Sequence, residues 1–205
     1  MVIRELKPSQ RVEGRWLAFL EDGTILRLGE NQVIDFALYA GKELNEEESA
    51  ALQDSARRSS LKGKTIELLS RKPQSRKEVE RKLLQWEASE EETAAICDRM
   101  EELGYLNDAA YAVTVVRHYS AKGYGERKLR DELYRRGVPR GLWEEALKQA
   151  ESSDGAIDAF IAKKLAGKTP DKTELKKISD ALARRGYRWE DISAALRRYG
   201  AECDE

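Results

Sequence analysis

The side chains best suited to covalent or acid–base chemistry are few and scattered. His118 is the only histidine, and it sits beside Tyr119 on an expected helix, where a surface or packing role suits it. Cys97 and Cys203 are the only cysteines and form no Cys-x-x-Cys pair; they read as a core thiol and a tail thiol. With no histidine pair either, nothing has the spacing of a metal site. No GxxxxGK[ST] segment is present, and Gly123-Tyr124-Gly125 reads as a helix linker rather than a phosphate loop. Glu91 and Glu92 fall in a helix first turn, where the macrodipole favours carboxylates. The expectation is a protein that is not an enzyme, with no catalytic, metal or cofactor-binding residues.

The chemistry that the sequence does support is recognition of negative charge. Residues 57–86 carry ten bases against three acids, residues 117–140 eight against three, and residues 163–188 nine against three. Acidic blocks alternate with them, and the net charge is only -1. The expected partner-binding residues are Arg76, Lys77, Arg127, Lys128, Arg135, Arg136, Arg184 and Arg185. Lined up on successive helices, they would suit phosphate or an acidic protein groove. The plain alternative is a set of solvated helix faces, and a partner bearing both signs of charge is another. Trp86, Trp143 and Trp189 recur in similar places and suit core packing.

These cations are placed by a repeated pair of helices. In Gly123–Ala150, Leu129 and Leu133 stand one helical turn apart, and Gly137 closes the first helix as a residue free to take positive φ. Pro139 suits the start of a second helix, running to Ala150, with Trp143, Ala146 and Leu147 on its apolar face. Shifted forward by 49 residues, Leu129 falls on Ile178, Leu133 on Leu182, Arg135-Arg136-Gly137 on Arg184-Arg185-Gly186, Trp143 on Ile192 and Leu147 on Leu196. Shifted back by 50, Leu129 meets Val79 and Leu133 meets Leu83, but Gly137 meets Glu87. Three copies at this period indicate an array of similar helical units.

The remaining elements follow from local signals. Asp22-Gly23 between apolar-rich runs at 12–20 and 24–28 predicts a β-hairpin, followed by a short helix over 33–39 that Gly41 ends. Asn45/Glu48, Ser75/Glu78 and Ser89/Glu92 have the spacing of capping boxes. Helices are expected at about 46–60, 61–71, 76–86, 90–103, 108–122, 154–166, from Asp171, and at 189–199, with a linker at Gly167–Pro170. The organisation expected is an N-terminal hairpin and short helix (1–45), a first repeat with a leading helix (46–107), a second repeat (108–152) and a third (153–205). With 37% charged residues and a mean hydropathy of -0.70, several small modules are better served than one thick core. No apolar run reaches the ~20 residues of a membrane span, and the N-terminus has no apolar signal segment, so a cytoplasmic protein is expected.

Four segments together resemble the RecX family, bacterial regulators of the RecA recombinase. They are Leu69–Leu84 (LSRKPQSRKEVERKLL), Leu103–Ala112 (LGYLNDAAYA), Gly123–Gly137 (GYGERKLRDELYRRG) and Arg184–Glu190 (RRGYRWE). Gln74 stands where that family often has Arg. Glu87-Ala88 stands where Gly and an aromatic or aliphatic residue are usual, so the first unit is expected to turn differently. The resemblance implies a mainly α fold: a tandem array of three-helix repeats in an elongated, curved molecule, with a small N-terminal β-hairpin region. It also implies a partner, the RecA filament on single-stranded DNA, bound in the filament groove by a monomer. The implied effects are inhibition of ATP hydrolysis, strand exchange and coprotease activity, and filament disassembly, in homologous recombination, DNA repair and the SOS response. The residues alone leave two alternatives: direct DNA binding through helix-turn-helix-like pairs, and a helical scaffold for another acidic protein.

Overall fold

The computed structural model describes residues 1–165 and 171–199. The Gly167–Pro170 linker, the last residue of the helix expected over 154–166, and Cys203 lie outside the described residues. The fold is mainly α with a small N-terminal antiparallel sheet. Two compact units form: Met1–Lys72 with Glu80–Tyr105, and Pro73–Val79 with the chain from Leu106 onward.

In the first unit, β1 (Ile3–Pro8), β2 (Arg15–Leu20) and β3 (Ile25–Gly29) pair antiparallel in the order β1-β2-β3. The expected hairpin is β2–β3. Its turn places Gly23 at φ 84°, and the Asp22 carboxylate accepts the Thr24 N–H at 2.8 Å. Strand β1 is additional, and local pattern hides it. Ile3 pairs with Leu20 and Glu5 with Phe19, so one extra residue bulges out of β1. The bulge upsets the period-2 alternation by which a strand is read. Apart from Leu6, charged residues and Pro8 fill the rest of this edge strand.

Helix α1 (Glu30–Asp35) follows β3 directly, earlier and shorter than expected, and the chain turns at Ala37 (φ 44°) and Gly41 (φ 92°). Helix α2 (Glu46–Arg71) is one helix of 26 residues, where two had been expected. Its buried residues Leu52, Ala56, Leu61, Thr65 and Leu69 recur every four or five positions. That single stripe carries the helix through Ser59-Ser60 without a break. The first half of α2 closes the sheet: Leu52 and Ala56 share a core with Ile3, Ala18, Leu20, Leu28, Leu38 and Leu44. The sheet's core therefore extends beyond residue 45. Helix α3 (Arg76–Gln85) starts in the Pro73–Val79 segment of the second unit and ends in the first, where α4 (Glu90–Glu102) follows. The Asn45/Glu48, Ser75/Glu78 and Ser89/Glu92 reciprocal caps all form, and Cys97 is buried on α4.

The second unit holds α5 (Asp108–Ser120), α6 (Glu126–Arg135), α7 (Trp143–Leu147), α8 (Ser153–Leu165), α9 (Lys172–Arg184) and α10 (Trp189–Arg198). Helices α5–α7 enclose Tyr111, Ala112, Val115, Val116, Leu129, Leu133, Val138, Trp143 and Ala146. Helices α8–α10 enclose Ile157, Ile161, Leu165, Ile178, Leu182, Tyr187, Ile192, Ala195 and Leu196. The residues paired by the 49-residue shift thus occupy corresponding places in two separate cores. Helix α7 is shorter than the expected 139–150 helix. Pro139 has extended ψ (133°) and precedes a single 3-10 turn at Arg140–Leu142. The Trp143 indole N–H donates to the Val138 carbonyl at 2.9 Å, which fixes that turn under the helix.

Leu133 and Leu182 are both fully buried. Truncating either to alanine is expected to cost about 2–5 kcal/mol, as a buried leucine does, in denaturant unfolding. A loss well below 1 kcal/mol would show that the repeat cores are not closed.

Candidate functional site

The expected site residues cluster where one repeat meets the next, and the joint is made largely of backbone. The amide hydrogens in the first turn of a helix have no partner within it. At the start of α6, the Gly125 N–H donates to the Arg185 carbonyl at 2.9 Å and the Arg127 N–H to the Gly186 carbonyl at 3.0 Å. At the start of α3, the Ser75 hydroxyl donates to the Arg136 carbonyl while also accepting the Glu78 N–H at 3.1 Å. The Arg76 N–H donates to the Asp108 carboxylate at 2.8 Å. In both places an Arg-Arg-Gly turn from the following copy supplies carbonyl groups to the helix N-terminus before it.

This approach is too close for a side chain on the turn. A Cβ at Gly186 would lie 2.5 Å from the Lys128 nitrogen, and one at Gly137 2.5 Å from the Lys77 Cβ. A Cβ at Gly125 would lie 2.5 Å from the Gly186 carbonyl group. Gly137 (φ 68°) and Gly186 (φ 89°) are left-handed as well. Glu87, at the corresponding place in the first copy, has φ 63° and so makes the same turn, contrary to the different turn expected there. Its carbonyl is met by the Arg57 guanidinium, a long side chain that keeps the α2 backbone at a distance. Positive φ alone is tolerated in a non-glycine residue at a cost of about 1–2 kcal/mol, whereas backbone contact is not.

The two arginines before each glycine have different fates. Arg136 bonds through its guanidinium to the Glu132 carboxylate, to the Glu132 carbonyl at 3.0 Å and to the Tyr119 hydroxyl at 3.0 Å. Its counterpart Arg185 donates to the Gly123 carbonyl at 3.1 Å and lies 4.7 Å from the Phe160 ring centroid. The Arg185 guanidinium ties the joint between the second and third copies, whereas that of Arg136 braces α6 against α5 within its own copy. Arg135 is 68% exposed and donates to the Glu132 carboxylate at 3.2 Å. Arg127 and Arg184 are exposed, and among the described residues no carboxylate pairs with them. Lys128 lies 3.5 Å from Glu132. Arg76 is half-buried at the joint, and Lys77 is exposed with its methylenes under Gly137.

The outward faces of α6 and α9 share a pattern. Arg127, Asp131, Tyr134 and Arg135 are exposed on α6, and Lys176, Asp180, Ala183 and Arg184 on α9. Spacings of four, seven and eight put each set on one helix side. Lys176 and Lys177, the counterparts of Arg127 and Lys128, were missed from sequence. The 49-residue shift that paired the Arg-Arg-Gly turns would have found them.

Charge at the joint is matched closely. Burial works to raise the pKa of Glu132, but the Arg136 hydrogen bond and the charges of Arg136, Arg135 and Lys128 outweigh it and hold the carboxyl below its usual range. Burial works to lower the pKa of Arg136, but its hydrogen bonds to the Glu132 carboxylate and the Tyr119 hydroxyl outweigh it and raise it. Burial, followed by a hydrogen bond to Glu78, pushes the Tyr111 hydroxyl up to about 12. Among the described residues no cluster of three or more His, Cys, Asp or Glu side chains is placed to hold a metal ion. Nor is any described helix long and apolar enough to cross a membrane.

Three-helix units joined in series, with cationic outward helix faces, define a tandem helical-repeat protein. Residues 62–100 match the first three-helix domain of RecX, and residues 107–147 match its second. The regulatory protein RecX of Streptococcus pneumoniae (strain Hungary19A-6) is 27% identical over 208 residues, spanning 100% of this chain and 80% of its own. That of Pseudomonas entomophila (strain L48) is 34% identical over 133 residues, 64% of this chain and 86% of its own. A crystal structure of regulatory protein RecX superposes with a TM-score of 0.74 at 20% identity, covering 96% of this chain and 98% of that one. RecX from Lactobacillus salivarius gives 0.64 at 22% identity, covering 70% and 97%. The chain belongs to the RecX family of regulatory proteins.

Two predictions follow from the joint. Gly125→Ala and Gly186→Ala should each cost about 1–3 kcal/mol or more through overpacking. Gly63→Ala, exposed on α2 with open space where its Cβ would go, should gain about 0.5–1 kcal/mol. Equal effects in urea unfolding would mean that the joint has room to spare. The Glu132 carboxyl has a depressed folded pKa, so its stabilisation is complete above the ordinary value of 4.5 and is lost as pH falls through the lower folded value. Glu132→Gln should therefore weaken the protein at neutral pH and flatten the stability–pH profile below about pH 4.5. An unchanged acid limb would show that this carboxylate is not what titrates there.

Proposed function

We infer that this protein regulates the RecA recombinase by lying in the helical groove of the RecA filament on single-stranded DNA. In this role it inhibits ATP hydrolysis, strand exchange and coprotease activity and favours filament disassembly. It acts in the cytoplasm, as a monomer, without a cofactor and without chemistry of its own. Membership of the RecX family supports the regulatory role. The observation that carries the surface is the recurrence of base, acid and base at matching outward positions of α6 and α9.

A filament groove lined by DNA phosphate and acidic side chains attracts such a row, more strongly at low salt. The residues proposed to meet it are Arg127, Arg135 and Arg184, joined by Lys176. Arg76, Lys77 and Lys128 flank this row at the joints. Arg185 contributes by holding the joint and Arg136 by bracing α6 on α5, so their removal acts through the fold.

The test is RecA ATPase on single-stranded DNA, titrated with the wild-type protein, with Arg127→Glu/Arg184→Glu and with Glu144→Lys/Glu145→Lys. Both double variants change charge by the same amount with opposite sign. The arginine variant should need at least tenfold more protein for half-inhibition, with its circular dichroism and unfolding midpoint unchanged. The glutamate variant should change much less. Equal inhibition by both would reduce the basic row to a solvated face, and a stronger defect in the glutamate variant would put the binding surface on the other side.

A further inference from the structure

The first unit carries a second basic surface, which the repeats do not explain. The β1–β2 loop, the β3 edge and the second half of α2 border a groove of about 970 Å³. Five bases line it, Lys7, Arg11, Arg15, Arg27 and Lys64, against two acids, Glu13 and Glu67. Elsewhere in the chain guanidinium groups are commonly matched by carboxylates, as Arg57 is by Glu92 at 2.9 Å and Arg198 by Asp158 at 2.8 Å. In the groove, among the described residues, no carboxylate pairs with Arg11, Arg15 or Arg27.

Strand register brings two of these charges together. Arg15 pairs with Gly29 and Leu17 with Arg27, so Arg15 and Arg27 are diagonal neighbours on one sheet face, about 7–8 Å apart. Like charges so placed repel unless solvent or a partner neutralises them. Apolar side chains accompany the cations: Val12 (40% exposed) and Ile25 (51%) lie in the groove, with Leu17 between the arginines. Ser9, Ser59 and Ser60 add hydroxyl groups, and Gly14 and Gly63 leave the walls low.

We propose that this groove binds a single strand of nucleic acid, with phosphates on Arg11, Arg15 and Arg27 and unpaired bases against Val12, Leu17 and Ile25. A single strand is a polymer that carries one anionic group per residue and a flat apolar face on each. A duplex offers the same phosphates but keeps its bases stacked inside. An acidic peptide dense enough in carboxylates to match the arginines has few apolar groups left for the floor. Guanidinium groups suit phosphate through paired hydrogen bonds and also stack on planar rings. The proposal does not depend on any action on RecA.

The test is fluorescence anisotropy of a labelled mixed-sequence single-stranded oligonucleotide with the full chain, over a salt series and without RecA. Wild type should bind, with affinity falling steeply as salt rises. Arg11→Ala/Arg15→Ala/Arg27→Ala should lose at least tenfold in affinity at low salt. Its log–log salt slope should shrink by about 2, since each phosphate contact on a single strand contributes about 0.7. Val12→Ser/Ile25→Ser should lose affinity several-fold with the slope unchanged, the signature of lost base contact. Arg197→Ala, at an exposed base on α10 outside the groove, should bind the oligonucleotide as wild type does, which ties the loss to the groove arginines. Circular dichroism of each variant checks the fold. The proposal is overturned if wild type does not bind at low salt or if the triple-alanine variant keeps its affinity and slope. Equal or tighter binding of duplex, or of poly-glutamate, with the same sensitivity to the three arginines would also overturn it.

Discussion

The carbonyl groups of an Arg-Arg-Gly turn, set against the open N-terminus of a helix in the preceding copy, are the contact on which the second unit depends. The first-turn amides of α6 have no helical partner and are half of the bargain; the carbonyls of Arg185 and Gly186 are the other half. Because both sides are backbone, the distance between them is fixed by hydrogen-bond length, with no side chain to flex. That constraint reaches into composition. It demands glycine at 186 and 125 together, since a methyl on either would overlap the facing main chain. Where the contact is made by a side chain instead, as by Arg57 at Glu87, the demand for glycine lapses although the left-handed turn is kept.

The same contact divides the positive charge of the molecule between two tasks. Arg136 and Arg185 are consecutive with Arg135 and Arg184, yet a helix turns about 100° per residue, so neighbours cannot face the same way. One arginine of each pair is drawn inward, onto Glu132 and Tyr119 or onto Gly123 and Phe160. The other is left outside with Arg127 or Lys176. Buried charge needs a partner, and Glu132 supplies one in the second copy. In the third copy the corresponding residue is Ala181, and Arg185 spends its donors on carbonyl oxygens and its plane on aromatic rings. Two chemically different solutions thus hold the same turn.

The first unit is built on another principle. A three-stranded sheet this small needs a cover, and the leading half of α2 gives it one through Leu52 and Ala56. The trailing half of the same helix carries its stripe on through Leu61, Thr65 and Leu69. One uninterrupted helix therefore serves both the sheet and the start of the first repeat. The outer side of the sheet is left with Arg15, Leu17, Ile25 and Arg27, an arrangement that neither the helix nor the core requires.

Much of this was legible in the chain itself, wherever the governing interaction is local. The reciprocal caps at Asn45, Ser75 and Ser89 join residues three apart, and the β2–β3 turn is written in Asp22-Gly23. The paired cores follow from a shift of 49 residues, because each repeat buries the same stripe. Tertiary structure decided the rest, for stated physical reasons. Strand β1 became visible only through pairing, since its bulge breaks the alternation. The two expected helices over 46–71 merged because a continuous buried stripe outweighs weak helix formers such as Ser59 and Ser60. Most of all, Arg135 and Arg136 look alike in sequence. Only the positions of Glu132, one turn back on α6, and of Tyr119 on α5 make one a structural tie and leave the other mostly exposed.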